Sequence, residues 1–132
     1  LSALVLLEGL DLSYNNLSSI EALSSLTALK GLDLEGNNVS DISALSGLTL
    51  LEGLGLDNNS ISDISALSGL VKISFLDLRN NQITDITALI QNAQAGGIGA
   101  GDMVYLTGNP LSSQAQSDAQ ALIDTYGASV YY

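Results

Sequence analysis

The sequence predicts an α/β solenoid, in which short strands and tight turns are stacked in a single column. An asparagine recurs every 22 residues, and leucines keep fixed offsets around it. The first half of each unit alternates apolar and polar residues at period two, which is typical of a strand. The second half has an apolar residue at every third position, which suits a turn or 3₁₀ helix better than a long α-helix. Such repetition favours display of a surface over catalysis.

The strand segments have the pattern Leu-x-x-Leu-x-Leu-x-x-Asn, followed after one residue by Leu, Val or Ile. Four copies span residues 7–17, 29–39, 51–61 and 73–83, with Ile in place of the first Leu in the last copy. In the second copy we expect Leu32 and Leu34 to face the core, and Asp33 and Glu35 to face solvent.

The asparagine column is expected to be structural. Where a strand ends, the chain turns inward, and its amides and carbonyls would be buried without partners. An asparagine has both donors and an acceptor, so we expect it to bond its own coil and the next one. The predicted ladder consists of Asn15, Asn37, Asn59, Asn81 and Asn109.

The return segments are near copies, since residues 41–48 recur as residues 63–70. Ser43 and Ser65 are placed to cap these short turns. A column of acidic residues precedes them, and local turn hydrogen bonds explain it better than a metal does. Its members are Asp41, Asp63 and Asp85.

The period breaks near the end of the chain, because Asn109 follows Asn81 by 28 residues. We expect residues 88–94 to form a helix that accommodates part of this expansion, and the strand to resume at residues 104–111. A final helix should begin after Ser112 and Ser113 and end near Tyr126, with residues 129–132 extended. We predict one domain over residues 1–132: a partial coil (1–6), four repeats with the last expanded (7–100), and a fifth strand with a C-terminal cap (101–132).

The repeat resembles the leucine-rich repeat family, specifically the 22-residue class of bacterial internalins, closely over residues 7–92. The resemblance implies a right-handed superhelix with a concave parallel sheet, a convex side of 3₁₀ helices and turns, and partners bound on the concave face. The ending resembles a bacterial C-terminal cap, so we expect a native C-terminus. Residues 1–6 align with residues 45–50, so we expect an uncapped N-terminal edge, an upstream continuation and a tendency to pair with another copy.

Composition excludes several classes of function. The chain has 14 acidic and three basic residues, for a net charge of −11, which disfavours nucleic acid and anionic membranes and favours a basic protein or cations. It contains no cysteine and no histidine, and no apolar stretch long enough to cross a membrane. We predict no enzyme activity, no cofactor and no metal site.

Two candidate ligand sites have simpler explanations. The glycines of residues 96–101 lack the spacing of a phosphate-binding loop, and they precede a strand instead of following one. Asp11, Asp33 and Asp77 form a column on the strand face that Gly55 interrupts. A solvated face is the favoured interpretation of this column, and binding of a cation such as Ca²⁺ is the alternative.

Gly9, Gly31 and Gly53 form a lane without side chains, which Phe75 and Met103 continue. Phe75 is either an exposed contact residue or is covered by the helix-loop insertion. Aromatic and arginine side chains dominate interface energetics, which makes this region the best candidate for a partner. The predicted contact residues are Asp33, Glu35, Asp57, Phe75, Asp77, Arg79 and Tyr105.

The favoured function is protein–protein interaction within a larger bacterial surface or secreted protein, although the residues leave a cytoplasmic location open. The alternatives are a structural spacer, a cation-stabilised scaffold, or the targeting arm of a larger enzyme.

Overall fold

The computed structural model describes residues 4–132 and confirms the α/β solenoid. Short strands form one parallel sheet whose spatial order is the order along the chain. The strands are β1 (Gly9–Asp11), β2 (Gly31–Asp33), β3 (Gly53–Gly55), β4 (Phe75–Asp77), β5 (Met103–Tyr105) and β6 (Ser129–Tyr131). Each coil of the solenoid therefore contributes one strand, and equivalent residues of successive coils lie side by side.

The sheet register places the repeated leucines in one buried column. Leu32 pairs with Leu54, Leu54 with Leu76, and Leu76 with Val104, and all four side chains are buried. Backbone bonds continue past the strand ends, for example from the amide of Leu34 to the carbonyl of Gly55 at 2.9 Å. Burial of this apolar spine is the main favourable contribution to folding.

The return segments form a second column across the core. The 3₁₀ helices Glu21–Ser25, Ser43–Leu45 and Ser65–Leu67 stack in order, followed by α1 (Thr87–Gln94) and then α2 (Ser113–Asp124). The 3₁₀ path expected from the three-residue spacing is confirmed. None of the helices in the described range is long and apolar enough to cross a bilayer.

The expected serine caps are wrong. Ser43 and Ser65 are the first residues of their 3₁₀ helices, and the residues before them make no side-chain cap. The carboxylates of the acidic column accept from the first amide of each helix instead, as Asp63 Oδ1 does from Ser65 N at 2.8 Å. Asp41 and Asp85 bond the amides of Ser43 and Thr87 in the same way. The carboxylate of the residue two positions before the helix reaches the first helical amide. The side chain of the first helical residue itself does not cap the helix.

The C-terminal region adds a strand that the sequence interpretation treated only as an extended segment. Ser112 caps α2, since its Oγ accepts from Ala115 N at 3.1 Å. Gly127, with φ of +78°, reverses the chain, and β6 then pairs in parallel with β5. Val130 therefore continues the buried column of the sheet.

The N-terminal end of the described chain is apolar and open. Of the predicted partial coil, residues 1–3 lie outside the described residues. Leu6 is 85% exposed, and the side chains of the first coil enclose a hollow of about 370 Å³. It is lined by Leu4, Leu10, Leu12, Leu17, Ile20 and Leu23, together with Ser19 and Ala22.

Candidate partner-binding surface

The exposed side of the sheet, here called the concave face, displays two side-chain columns. The first residue of each strand gives the column Gly9, Gly31, Gly53, Phe75, Met103 and Ser129. The third residue gives Asp11, Asp33, Gly55, Asp77, Tyr105 and Tyr131. The face is thus bare and acidic over the first three coils, and aromatic over the last three.

Three rings form what we call the aromatic shelf: Phe75, Tyr105 and Tyr131. The centroids of Phe75 and Tyr105 are 5.7 Å apart and tilted, whereas Tyr105 and Tyr131 stack at 4.8 Å with an angle of 10°. Phe75 is 38% exposed and Tyr131 is 49% exposed. The insertion does not cover Phe75, because α1 belongs to the column of return segments across the core.

Arg79 is fixed against this shelf. Its Nε donates to both oxygens of Asp77, at 2.9 and 3.0 Å, and its guanidinium carbon lies 5.5 Å from the Tyr105 centroid. The Asp77 side chain is only 7% exposed, so the pair neutralises a buried charge. The hydrogen bonds and charge of Asp77 raise the pKa of Arg79 further above its usual value.

The carboxylates of Asp33, Glu35 and Asp57 lie near one another on the two preceding coils, and this group is here called the acidic hollow. The Asp33 carboxylate fills the space above Gly55, where a Cβ would lie 2.9 Å from Oδ1. Asp57 is 6% exposed and its Oδ2 accepts from Asn58 Nδ2 at 2.8 Å. Burial, with added repulsion from Asp77 and Glu35, raises the pKa of Asp57 to about 6.

The hydroxyl of Tyr14 bounds the hollow and donates to Glu35 Oε1. This hydrogen bond, more than the surrounding negative charge, raises the pKa of Tyr14. The Tyr14 ring lies over Gly36, where a Cβ would approach to 2.7 Å of the ring. Gly36 also has φ of +66°, so both its conformation and its small size are required there.

The aspartate column of the sheet has a local hydrogen-bonding role. The Oδ1 atoms of Asp11, Asp33 and Asp77 each accept from the backbone amide two residues later, at 2.9, 2.9 and 3.1 Å. Within residues 4–132 no three acidic side chains converge in a way that could hold a metal ion. These hydrogen bonds give each of the three aspartates a local role in its turn.

The ladder asparagines bond their own coil and the preceding one. Asn81 Nδ2 donates to the carbonyls of Leu78 in its own coil and Leu56 in the coil before, and its Oδ1 accepts from Ile61 N at 3.0 Å. Asn37, Asn59 and Asn109 repeat this pattern. Among residues 4–132, the Asn15 side chain bonds only carbonyls of its own coil, at Leu12 and Ser13. The expected partner was the following coil. The flanking amide and carbonyl lie in the preceding coil instead.

The structure brings together four of the predicted contact residues, Phe75, Asp77, Arg79 and Tyr105. Asp33, Glu35 and Asp57 lie one or two coils earlier, where they form the acidic hollow. Asp57 and Asp77 are buried, so they shape the electrostatic field of the face more than they offer contact area.

Sequence reasoning missed two residues of structural consequence. Tyr131 completes the aromatic shelf, and the Val-Tyr pair shared by residues 104–105 and 130–131 is the signal that could have revealed it. Asn92 is fully buried in α1, donates to the carbonyls of Leu67 and Leu70, and accepts from Ile98 N at 2.9 Å. It anchors the insertion in the way that the ladder asparagines anchor the turns.

Comparisons with known proteins agree with this architecture. The family model for leucine-rich repeats (2 copies) matches residues 6–47 and 49–91. Internalin C2 from Listeria monocytogenes is 25% identical with a TM-score of 0.77, and the alignment covers 95% of this chain and 50% of that one. Internalin InlF of the same organism is 28% identical with a TM-score of 0.72, and the coverage is 85% and 38%.

A leucine-rich repeat protein of Leptospira interrogans shares the fold at 20% identity, with a TM-score of 0.71 and coverage of 94% and 36%. The search of curated proteins gave no match. The chain spans half or less of the length of each of these three solved structures.

Proposed function

The chain belongs to the leucine-rich repeat family, and we propose that it is a protein-binding module that holds its partner on the concave face. Modules of this family typically mediate protein–protein interaction, and the internalin-like fold is typically non-enzymatic. The observation that carries the proposal is the aromatic shelf, which presents three contiguous rings and a guanidinium on an uncovered sheet. Tyrosine and arginine are the residue types that most often dominate interface energetics.

The charge of the chain supports a basic partner. The net charge is −11, and the concave face carries Asp11, Asp33, Glu35 and Asp57 with no lysine or arginine among the strand residues of its first three coils. Such a field accelerates encounter with a positively charged surface, and added salt reduces the effect. It disfavours nucleic acid as the partner.

The test compares partner binding by a variant that lacks two rings of the shelf with binding by a variant that lacks two comparably exposed apolar side chains at other positions. The shelf variant is Phe75→Ala with Tyr131→Ala, and the control is Val71→Ala with Tyr132→Ala, a pair of comparable exposure. Tyr132 points away from the shelf, since its hydroxyl donates to Gln120 Oε1 at 3.2 Å. We expect a captured partner to bind the control like the wild type, and the shelf variant at least about tenfold more weakly, as for loss of hot-spot residues. Equal binding by all three proteins would contradict the assignment.

We infer that the chain acts at a bacterial cell surface or in secreted form, as part of a larger protein. The support is similarity to internalins of Listeria monocytogenes, whose solved chains are about twice as long or longer. Fractionation of cells that express the full-length protein, with detection by an antibody to this domain, tests the location. Recovery in the cytosol alone would contradict it.

We also propose that the isolated chain self-associates through its open N-terminal end. The support is the apolar hollow of the first coil and the exposed Leu6 side chain, beside the outer edge of β1, which pairs with no strand among residues 4–132. Light scattering at high micromolar concentration should give a dimer for the wild type and a monomer for Leu6→Lys. Val71→Lys, which adds the same charge at another exposed apolar position, should remain dimeric. A monomeric wild type would refute this proposal.

A further inference from the structure

Apart from Asp77, the carboxylates of the concave face form no internal ion pair in the described part of the chain. The guanidinium of Arg79 is engaged by Asp77 and by the Tyr105 ring, and Lys30 pairs with Glu8 at 3.0 Å. Over the described part of the chain, no basic side chain forms an ion pair with the acidic hollow of Asp33, Glu35 and Asp57. The hollow therefore carries most of the uncompensated charge of the face.

Leaving these charges uncompensated is energetically unfavourable, chiefly at Asp57. This carboxylate is buried, its side-chain partner is the neutral amide of Asn58, and Glu35 and Asp77 repel it from the neighbouring coils. Arg79 is close enough to offset part of this repulsion, but its effect is the smallest of those acting on Asp57. The raised pKa of Asp57 reports the same imbalance. A cation from outside would relieve it.

The sheet surface beside the hollow leaves room for the backbone of a partner to approach closely. Gly31 and Gly53 have ordinary backbone conformations, and a Cβ at either position would meet no atom within 4 Å. Together with Gly9, Gly55 and Phe75 they line a groove of about 500 Å³ that leads from the acidic coils to the aromatic shelf. The fold does not require glycine at these two positions, but a partner lying close to the sheet would.

The two halves of the face set a spacing. Glu35 and Asp57 belong to the second and third coils, whereas the centre of the shelf, Tyr105, belongs to the fifth. At about 4.8 Å per coil the centres lie about 12 Å apart, which an extended chain covers in about four residues.

On the basis of the proposed concave-face function, we propose that the partner segment carries an arginine or lysine and, about four residues away, an aromatic side chain. The cationic group lies against the half-buried Glu35, within the field of the buried Asp57, and the aromatic side chain packs on the shelf of Phe75, Tyr105 and Tyr131. An acidic or phosphorylated segment would be repelled by the same hollow.

The probe is the capped peptide Arg-Gly-Ser-Gly-Trp, titrated into ¹⁵N-labelled protein at pH 7.5 and low salt. Two matched peptides replace Arg with the isosteric, neutral citrulline or replace Trp with Ala. We expect the arginine peptide to bind about threefold to fivefold more tightly than the citrulline peptide, the range for a solvent-accessible ion pair. The shifted amides should include those of Glu35, Asp57 and Tyr105.

Charge-matched variants identify the contact. In Asp57→Asn the difference between the two peptides should shrink, while Asp41→Asn, which removes the same charge on the convex side, should retain it in full. Glu35→Gln, at a half-buried position, is the second variant, and there the difference should disappear. A preference for the arginine peptide over the citrulline peptide that persists unchanged in both variants would overturn the proposal.

Failure of this inference differs from failure of the proposed function. Equal affinity for the arginine and citrulline peptides, with binding still lost in Phe75→Ala, would leave the concave face as the site and reject the cationic contact. Shifts confined to residues outside the concave face would reject both. Absence of saturable binding by the arginine peptide would also overturn this inference.

Discussion

The ladder asparagines are single side chains that satisfy backbone groups of two coils at once. Asn81 is buried and makes three donor contacts and one acceptor contact. An alanine there would remove the side-chain acceptor of the Ile61 amide and one of two side-chain donors to the Leu56 carbonyl, which would keep Asn59 Nδ2 at 3.1 Å. We expect Asn81→Ala to lower the free energy of unfolding by about 1–3 kcal/mol, measured by urea denaturation.

Asn15 is the matched control for this prediction, because it is exposed and bonds only its own coil. Asn15→Ala should cost less than half as much as Asn81→Ala. Equal losses would mean that the bonds between coils contribute little, and that the turn conformation alone requires asparagine.

Asp57 makes stability depend on pH in the direction opposite to most carboxylates. Its pKa is raised from 3.8 to about 6 on folding, so its contribution is most favourable below pH 4 and is lost as the pH rises through 6. Asp57→Asn removes this loss. After allowance for solvent screening, we expect the variant to be more stable than wild type by about 1–2 kcal/mol at pH 7.5.

The gain should shrink as the pH falls from 7 to 4, which urea denaturation over a pH series measures. Asp41→Asn is the control, because a hydrogen bond from the Ser43 amide lowers the pKa of Asp41, and its contribution is lost as the pH falls. A constant difference between Asp57→Asn and wild type across this range would show that burial does not perturb the carboxylate.

Among the elements, the 3₁₀ helices depend on the carboxylate that precedes them. Hydrogen bonds from the backbone amide and then the side chain of Ser65 lower the pKa of Asp63, so the ionised form supports the turn. Asp63→Ala should lower the melting temperature by about 2–4 °C at pH 7. Ser65→Ala should have a smaller effect, since the amide donor remains. A larger loss of melting temperature in Ser65→Ala than in Asp63→Ala would indicate that the serine is the capping residue.

The elements also mark how far sequence reasoning reaches. The strands and 3₁₀ helices follow from apolar spacing alone, because each repeat contains its own pattern, as in Leu32-x-Leu34. The sequence correctly predicts that Asp63 bonds within the turn, but it does not distinguish Asp63 from Ser65 as the cap, because both residue types favour helix starts. Asn92 and Tyr131 lie where the period has broken, so no neighbouring copy indicates their partners, and their contacts come from packing in three dimensions.

The same limit applies to the concave face. Register alone places Phe75, Asp77 and Tyr105 on adjacent strands, which is why the sequence could indicate this region. It could not indicate that Arg79 pairs with Asp77, nor that Asp57 is buried without an ion-pair partner. The residues at these positions differ between coils, so the repeat pattern does not determine their side-chain contacts or their burial.

At the scale of the whole molecule, the solenoid is closed at one end of the described chain and open at the other. Ala119 and Leu122 of α2, which belongs to the C-terminal cap, are fully buried. Leu7, Leu10 and Leu12 of the first coil are only partly buried. In a stacked solenoid each coil is stabilised mainly by its neighbours. Unequal ends therefore imply unequal local stability.

We expect hydrogen exchange to proceed from the N-terminal end. Amides of the first coil, such as Leu12, bonded to the Asp33 carbonyl at 2.8 Å, should exchange fastest among the strand-linked amides. Leu56 in the central coils should exchange most slowly, near the rate set by global unfolding, and Leu106 beside β6 should resemble it. Fusion of a capping coil to the N-terminus should slow amide exchange at Leu12 and leave the exchange rate of Leu106 unchanged. Equal protection of Leu12 and Leu106 in the unmodified chain would mean that the exposed apolar end does not weaken the first coil.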